Sequence, residues 1–414
     1  MAGVSIDTFG ASFVHYMPGV VQTLNNTSRA RLLPMGNKKW TGDYLSQRIR
    51  VRRNPAIAGV VDGAAIPAAG KATYTESKVY RKFIVGSVKV TDGLLINAAD
   101  TKHNAITVME SKIRGLLDSI RKWENYMFNR DGTGVVALLG ATVSGSTITV
   151  TDGRLMWEDA YYDIVDATTG ATHVTFKVSS VARALTPTGE TTITPSSTIS
   201  AAGQAQNDYV VWRGSTTAGD SSYNRVPMGL DGMIDDTAGT FQGVDTSTYN
   251  RWTSLIMSHG GTNRELQPHL FREALAGVHQ ESGDPSKNPM TALMTYWMGN
   301  HFEEMYEGQI RLQPSTTKSG LKCAKFTSSA GDVQVVTDPD AVLNQITLAD
   351  MTEISRAVQK ELDWRPGVKG IFNPSQDNLH HVATCLEVCD FFIERRNRCA
   401  KIKDLKETRV TAFG

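Results

Sequence analysis

The residues best suited to metal chemistry lie near the C-terminus, where Cys385, Cys389 and Cys399 follow His381. Cysteine and histidine bind zinc, but the spacing of these four residues as a set fits none of the usual zinc ligand patterns. On an extended strand the odd-numbered cysteines would share one face, so the three thiols could converge. Because cysteine also fills small gaps in a hydrophobic core, we expect these residues to be structural and to bind no metal.

The signals for phosphate binding and nucleophilic catalysis are weaker still. A small-residue segment at 56–70 ends in Gly70-Lys71-Ala72. A phosphate loop needs glycine at position 65 and serine or threonine at position 72, and both positions are alanine. The chain also lacks the G-x-S-x-G elbow of a serine nucleophile. We therefore expect a plain loop here and no cofactor.

Acidic and histidine pairs give no catalytic pattern either. Glu303, Glu304 and Glu307 lie together on one predicted helix, and His380-His381 begins a predicted strand. Paired carboxylates act as acid and base when their environments split their pKa values, whereas neighbouring glutamates on a helix usually form a solvated face. The sequence therefore predicts no catalytic residues.

Charge is distributed unevenly along the chain. Residues 47–90 contain nine Lys/Arg and two Asp/Glu, a net charge of +7, whereas the whole chain is +1 and the remainder is therefore −6. The alternation of Arg48, Ile49, Arg50, Val51 and Arg52 is typical of a half-buried strand, and we expect residues 80–85 to form the returning strand. Because a lone two-stranded ribbon is marginally stable, this pattern predicts contact with another surface. The acidic remainder of a second copy of the protein would be a complementary surface.

A long helix should follow the ribbon. Apolar residues recur at the helical period: Ile106, Met109, Ile113, Leu116, Leu117, Ile120, Trp123 and Met127. The helix is predicted to begin at Asp100 or Thr101 and to end near Arg130. Its length would be roughly 45 Å, which is more typical of a structural beam than of an ordinary core helix.

The remaining segments predict a mixed fold. Residues 141–215 are rich in threonine and predict a peripheral, removable β-module with strands at 147–151, 161–165, 173–181, 191–193 and 209–212. Further on, we expect helices at 263–280, 289–307 and 348–362 and strands at 323–326, 333–336 and 380–393. Residues 1–46 are expected to form an arm that is ordered only by partners, with a short helix at 11–24.

Bulk properties set limits on the class of protein. A chain of 414 residues should contain two or more packed units. No run approaches the length of a membrane span, so we expect no membrane contact. The four cysteines are too few for a disulfide framework and suit a reducing compartment. Near-zero net charge argues against a protein whose main task is to neutralise phosphates.

The order of these parts resembles the major capsid proteins of tailed bacteriophages. Members of that family have, in the order predicted for this chain, an N-terminal arm, a long basic hairpin, a spine helix, a central α/β part and a final long strand. Three features of the C-terminal region resemble the closing segment of that family: Trp364 with Gly370-Ile371-Phe372, the apolar run at 382–388, and Phe391-Phe392-Ile393-Glu394-Arg395-Arg396-Asn397. Residues 320–326 and 333–338 resemble a strand pair of the family's axial domain, and the threonine-rich module resembles a β-domain that some members insert.

The resemblance implies an α+β fold, the tailed-phage major capsid fold with peripheral and axial domains and an inserted small all-β domain. The expected boundaries follow the chain. They are an N-terminal arm at 1–46, an extended hairpin loop at 47–94, the spine helix and first part of the peripheral domain at 95–140, the inserted β-domain at 141–215, the axial domain at 216–345 and a return to the peripheral domain at 346–414.

The charge pattern and the resemblance together indicate which residues act in assembly. Inter-subunit contacts are expected from the hairpin loop at Arg48, Arg50, Arg52, Arg53, Lys71, Lys78, Arg81 and Lys82. The core face of the spine helix is expected at Ile106, Met109, Ile113, Leu117, Ile120 and Trp123. Some family members cross-link a hairpin lysine to a neighbouring subunit, but no acidic catalyst or acceptor asparagine is evident here, so we expect no such bond.

The implied function is structural rather than enzymatic. Copies would form hexamers and pentamers and then an icosahedral shell around double-stranded DNA, in the virion and assembled in the host cytoplasm. Expected partners are the protein itself, a separate scaffolding protein (no fused scaffolding segment precedes the arm), a portal, decoration proteins and non-specifically contacted DNA. Two alternatives stay open: an encapsulin-like nanocompartment shell of the same fold, and a hydrolase with a β-type binding module.

Overall fold

The computed structural model describes the chain in segments separated by short gaps. The described residues are 33–91, 104–140, 143, 145–182, 191–199, 204–214, 220–282, 290–307, 313–316, 322–328, 331–366, 372–374 and 380–407. The helix expected at 11–24 lies outside them. Within the described residues, no helix is long and apolar enough to cross a membrane.

Of the first four described strands, the second and third form a two-stranded ribbon, and the first and fourth belong to the main sheet. They are β1 (Gly36–Lys39), β2 (Tyr44–Arg52), β3 (Thr73–Tyr80) and β4 (Lys82–Thr91), and helix α1 (Asn104–Phe128) follows them. β2 pairs with β3 in antiparallel register, with Tyr44 opposite Tyr80. β4 instead pairs with the long strand near the C-terminus. The expected returning strand at residues 80–85 is therefore wrong, because the ribbon returns through β3 and Lys82 already belongs to the main sheet.

Helix α1 is the predicted spine helix. It has 25 residues, which gives a length of about 38 Å. Ile120 is buried, Leu116 and Trp123 are half-buried, and Lys112 on the opposite side is exposed. The helix packs on β4 at Gly86, where a Cβ atom would come within 2.6 Å of Ile120 Cδ1. The apolar stripe of the helix therefore faces the core, as its period predicts.

The threonine-rich region forms a small barrel. Its strands are β5 (Val135–Leu138), β6 (Ile148–Val150), β7 (Tyr161–Val165), β8 (Thr172–Val181), β9 (Thr191–Pro195) and β10 (Tyr209–Trp212), in the order β5-β10-β7-β8-β9-β6. Backbone hydrogen bonds from Gly140 N to Thr149 O (2.8 Å) and from Thr151 N to Leu138 O (2.9 Å) join β6 to β5 and close the barrel.

The predicted strands of this module are confirmed, but the barrel includes more than the module. Strand β5 precedes residue 141 and was not predicted. Tyr126 and Met127, at the end of α1, belong to the same buried cluster as Val136 and Tyr162. The spine helix therefore supplies part of the barrel core. The domain boundaries given above stay predictions.

The rest of the described chain builds two larger sheets and a two-stranded one, β11-β12. Its elements are α2 (Leu230–Met233), β11 (Thr240–Phe241), β12 (Val244–Asp245), β13 (Leu255–Met257), α3 (Pro268–Ser282), β14 (Met290–Met294), α4 (Tyr296–Glu307), β15 (Gln313–Thr316), β16 (Lys322–Ser328), β17 (Gly331–Thr337), β18 (Ile346–Ala349), β19 (Ile354–Trp364), β20 (Phe372–Pro374), β21 (His380–Ile393) and β22 (Cys399–Ile402). Short 3₁₀ turns occur at Asn250–Trp252 and Arg396–Arg398.

One of these sheets has seven strands, in the order β13-β22-β18-β14-β17-β16-β15. Helices α3 and α4 contribute Phe271 and Phe302 to its core, with ring centroids 5.4 Å apart. The predicted strands at 323–326 and 333–336 are confirmed, and they pair with each other as β16 and β17.

The main sheet has the order β1-β19-β21-β20, and β4 pairs with β21 along most of its length. Strand β1 lies parallel to β19, and Leu33 and Trp40 are buried in the subunit's own core. The expectation that residues 1–46 are ordered only by partners is therefore wrong for residues 33–46, because this segment adds a strand within its own chain.

Two predicted helices are strands over part or all of their length. Residues 290–294 form β14, and α4 begins only after Thr295, whose side-chain oxygen accepts a hydrogen bond from Met298 N at 3.2 Å as a helix cap. Residues 348–362 are not helical, because β18 and β19 occupy them. The register of β19 against β21 shifts on both sides of Lys360, and such bulges break strict alternation, which makes an extended segment mimic a helical period.

Candidate assembly surface

The outer face of the ribbon carries exposed basic and aromatic side chains beside Glu76. Antiparallel register places Arg48 opposite Glu76 and Arg50 opposite Tyr74. Tyr74 is 60% exposed and Tyr80 58%, and both arginines are exposed. Tyrosine and arginine are the residue types that most often dominate binding energy at protein interfaces. This face therefore has the composition of a contact surface.

The inner face of the ribbon packs on its own subunit. Val79 is buried with Trp40, Ala357 and Phe392, and Leu45 packs against the same cluster. Ser77 is completely buried. The ribbon base is therefore held within the chain, and the surface that its inner face contacts is the core of the same chain.

Three of the predicted contact residues are engaged within the chain. Arg52 Nη2 donates to Thr248 O at 3.3 Å, and its guanidinium lies 5.5 Å from the centre of the Tyr249 ring. Lys82 Nζ donates to Asn224 O at 2.7 Å. Arg81 lies 3.5 Å from Asp43 in an exposed ion pair, which is worth little.

The distal part of the hairpin is exposed. Lys71 and Arg53 point into solvent, as do most residues between them. This tip exposes several large apolar side chains, with fractional exposures of 84% for Ile57, 80% for Val61 and 84% for Ile66. Lys78 is half-buried, and its ammonium group lies 5.2 Å from the centre of the Tyr44 ring.

The predicted core face of α1 is only partly described. Ile113 and Leu117 are half-buried, Ile120 is buried and Trp123 is half-buried. Trp123 packs against both the barrel core and the cluster beneath the main sheet, so it joins the two. The side chains of Ile106 and Met109 lie outside the described residues.

A polar junction that the sequence did not predict joins α1, the barrel and the turn after β17. Lys122 Nζ lies 2.7 Å from Asp340 Oδ2. Arg154 donates to the carbonyls of Pro339 (2.9 Å) and Ala341 (3.0 Å) and pairs with Asp152 at 2.8 Å. Burial, together with the nearby charge of Asp340, raises the pKa of Asp338 to about 6. Backbone carbonyl acceptors leave no side-chain motif, so this site could not be predicted from the sequence.

Arg396 and Asp390 are two further buried residues whose hydrogen bonds, among the described residues, go to backbone groups. Arg396 donates to the carbonyls of Met233 (2.8 Å), Trp252 (3.2 Å) and Asp235 (2.8 Å). Asp390 Oδ1 accepts hydrogen bonds from Met228 N (2.7 Å) and from the backbone N of Phe391 (2.8 Å). Burial raises the pKa of Asp390 to about 7.

The candidate metal ligands lie in different parts of the core. Cys385 and Cys389 pack beneath the main sheet, whereas Cys399 belongs to another buried cluster. Burial raises the pKa of the Cys389 and Cys399 thiols to about 12. Among the described residues, no group of three histidine, cysteine or carboxylate side chains is placed to hold a metal ion.

The other candidates for chemistry lie apart from one another. Glu303 and Glu304 are exposed on α4, and His380 and His381 are half-buried at the start of β21. The structure does not bring these side chains together into one cleft.

Comparison with known proteins identifies the fold. No family model and no curated protein matches the sequence. Among solved structures, the chain is similar to the cyanophage A-1(L) capsid (TM-score 0.58, 11% identity, covering 97% of this chain and 98% of that one). It is also similar to the capsid of an empty GTA particle (TM-score 0.52, 8% identity, covering 97% and 98%).

A third similar structure is the holo-SrpI encapsulin complex from Synechococcus elongatus PCC 7942 (TM-score 0.50, 9% identity, covering 99% of each chain). At these identities the likeness establishes the fold. The chain therefore has the α+β fold shared by these capsid and encapsulin proteins, and the predicted capsid fold is confirmed.

Proposed function

We propose that this chain is a major capsid protein whose copies form capsomers and then an icosahedral shell around double-stranded DNA. The observation that carries the proposal is the shared fold over nearly the full length of both chains in the cyanophage A-1(L) comparison. The role is structural rather than catalytic, because the fold is one that shell proteins use. The protein would reside in the virion capsid.

The ribbon supports self-association. Its tip exposes Ile57, Val61 and Ile66, and soluble monomers rarely leave contiguous apolar surface exposed. The ribbon as the structure defines it, residues 44–80, has six Lys/Arg and two Asp/Glu, a net charge of +4, and the remaining residues sum to −3, so a second copy offers a complementary surface. Arg48, Arg50 and Arg53 extend into solvent and are the proposed contacts to that copy.

The same proposal covers the finer partners. Copies would associate as hexamers and pentamers in the host cytoplasm, with a separate scaffolding protein, a portal and decoration proteins. DNA would be contacted non-specifically, since near-neutral net charge suits a wall that does not bind phosphates tightly.

A charge-reversal experiment tests the proposed role of the ribbon. Reversing Arg48, Arg50 and Arg53 to Glu should leave a folded subunit that fails to close into shells. Each exposed ion pair contributes roughly 0–1 kcal/mol, but a shell repeats the contact in every subunit. Arg52 is left unchanged because it contacts its own subunit. Assembly is measured by light scattering and electron microscopy, and folding by cooperative thermal unfolding.

The matched control reverses three exposed basic residues outside the ribbon, Arg251, Arg272 and Lys406, for the same change in total charge. It should assemble like the wild-type protein. Normal shells from the ribbon variant would refute the proposal, and equal loss of assembly in both variants would attribute the effect to net charge alone.

The second candidate is the shell of a protein nanocompartment. It is favoured by the likeness to the SrpI encapsulin, which covers 99% of each chain. The ratio of absorbance at nucleic-acid and protein wavelengths, measured on purified shells after nuclease treatment, separates the two functions. Protected nucleic acid supports the capsid, and protein cargo without nucleic acid supports the nanocompartment.

A further inference from the structure

The turn between β11 and β12 has an unusual residue in a left-handed conformation. Gln242 has φ +48° and Gly243 has φ +79°, and Phe241 pairs with Val244 across this two-residue loop. Such turns need positive φ at both central positions and favour Asn-Gly. Glutamine lacks the short side chain that makes this conformation tolerable. Non-glycine residues in sparsely populated conformations persist where surrounding contacts fix them.

The contacts of Gln242 join the ribbon to the main sheet. Its carbonyl oxygen accepts a hydrogen bond from Lys78 N at 2.6 Å. Its side-chain Oε1 accepts from Ser77 Oγ at 3.3 Å, and its Nε2 donates to Phe391 O at 3.2 Å. Ser77 lies on β3 and Phe391 on β21, so one side chain bridges two sheets that share no strand-to-strand hydrogen bonding.

The loop that carries this turn holds the other strand of the ribbon as well. Arg52, at the end of β2, donates to Thr248 O and lies over the Tyr249 ring. The loop is itself braced, because Asp245 accepts hydrogen bonds from Ser247 N (3.0 Å) and Thr248 Oγ1 (2.6 Å). Residues 240–249 therefore contact both strands of the ribbon, β2 at Arg52 and β3 at Ser77 and Lys78.

The base of the turn is fixed to the body of the subunit. The Arg396 guanidinium lies 4.2 Å from the centre of the Phe241 ring, and Arg396 is itself held by three backbone carbonyls. The contact between Phe241 and Arg396 therefore restricts movement of Gln242 relative to the main sheet. The carbonyl and side-chain amide of Gln242 in turn restrict movement of β3.

We propose that Gln242 is a positioning residue for assembly, which sets the direction in which the ribbon leaves the subunit so that its arginine face meets the neighbouring copy. This inference rests on the proposed function for its final step. Its first step, the coupling of the ribbon to the turn, is a property of the single subunit and is measured there.

Gln242→Gly separates positioning from stability. Glycine adopts positive φ without strain and keeps the backbone carbonyl that binds Lys78, while the amide bridge to Ser77 and Phe391 is lost. We expect the melting temperature to stay within about 2 °C of wild type, because relief of strain offsets the lost hydrogen bonds. Amide hydrogen exchange in residues 44–52 and 73–80 of the unassembled subunit should become about fivefold faster.

Assembly should change even though stability does not. We expect Gln242→Gly to yield open or irregular particles in place of closed shells, seen by electron microscopy at equal protein concentration. Ser77→Ala removes the hydroxyl donor from the other side and should accelerate exchange in the same strands. Asn207→Gly is the matched control, since Asn207 also has positive φ (+73°) but is exposed in the barrel.

The outcomes separate the two proposals. Unchanged exchange in the ribbon of Gln242→Gly would overturn the positioning role, whatever the protein assembles into. Faster exchange with normal shells would overturn its importance for assembly. Wild-type protein that forms no shell under any condition would instead overturn the proposed function, and that result precedes any substitution.

Discussion

Gly86 on β4 lies where the main sheet packs against α1, and replacing it tests that contact. A Cβ atom at Gly86 would lie 2.6 Å from Ile120 Cδ1, 3.1 Å from Cys385 Sγ and 3.2 Å from Leu116 Cδ1. Optimal separations between carbon atoms are about 3.5–4.0 Å, so the helix or its side chains must move. We expect Gly86→Ala to lower the free energy of unfolding by about 1–3 kcal/mol, the usual cost of overpacking.

Ile120→Val provides a specific rescue because it removes the Cδ1 atom that lies nearest. In the single variant, the loss of this buried methyl group should lower the free energy of unfolding by about 0.5–1.5 kcal/mol. In the double variant, the total loss should be smaller than the sum of the single losses by about 1 kcal/mol, a coupling typical of residues in contact. Gly115→Ala on the same helix is the control, because a Cβ there meets nothing within 4 Å.

Urea denaturation of the unassembled subunit, followed by circular dichroism, gives these free energies provided that the m-values agree between variants. Gly115→Ala should add about 0.5–1 kcal/mol, since alanine is favoured over glycine in a helix. If the Gly86 and Ile120 effects add within about 0.3–0.5 kcal/mol, the packing of α1 on β4 at this point is refuted. Unchanged stability of Gly86→Ala would refute it equally.

The remaining predictions concern buried charges and the barrel. Arg396→Met should lower the free energy of unfolding by about 2–4 kcal/mol because three carbonyls lose their donor. Arg395→Met, whose side chain is 53% exposed, should cost less than about 1 kcal/mol, and denaturant titration compares the two. Because the pKa of Asp390 is raised to about 7 in the folded protein, its contribution to stability is complete below its unfolded pKa of about 3.9 and is lost as the pH rises through 7. Asp390→Asn should therefore be more stable than wild type at pH 8 and not at pH 4, in urea titrations at both values. The sequence predicted that the module at 141–215 could be removed, but Tyr126 and Met127 of α1 are buried in the barrel core. Replacing residues 141–215 by a Gly/Ser linker should therefore yield insoluble protein, and soluble yield after expression measures this.

Short buried strands bounded by turns were the most predictable elements. β7 and β10 match the sequence prediction at both ends, because each is a brief apolar run between polar turns. The long strand β21 was equally clear. In these segments local pattern and final environment agree, so periodicity alone suffices.

Pairing partners could not be predicted from the same pattern. β3 and β4 both alternate with period two, so the alternation does not say which of them returns along β2. That choice depends on the register between Tyr44 and Tyr80 and on the long strand β21, which is distant in sequence. The prediction of a helix where β19 lies was wrong for a related reason, since the bulges of β19 near Lys360 produce a helix-like spacing of apolar residues.

The candidate site was predictable in its charge but not in its anchoring. The alternating arginines of β2 indicated an exposed basic face, and Arg48 and Arg50 lie there. Nothing in the sequence indicated Gln242, because its importance arises from a backbone conformation and from carbonyl acceptors. Arg396 was missed in the same way, since its partners are backbone groups of a distant segment.

The closure of the barrel has a consequence for the assembly proposed above. Open strand edges can template pairing with any other chain, which leads to aggregation. In the described part of the barrel, hydrogen bonds join β5 to β6, the two strands that would otherwise be the open edges of the sheet. In the proposed shell, the barrel would therefore enlarge the subunit without offering an additional edge for mispairing, and irreversible aggregation would compete less with assembly.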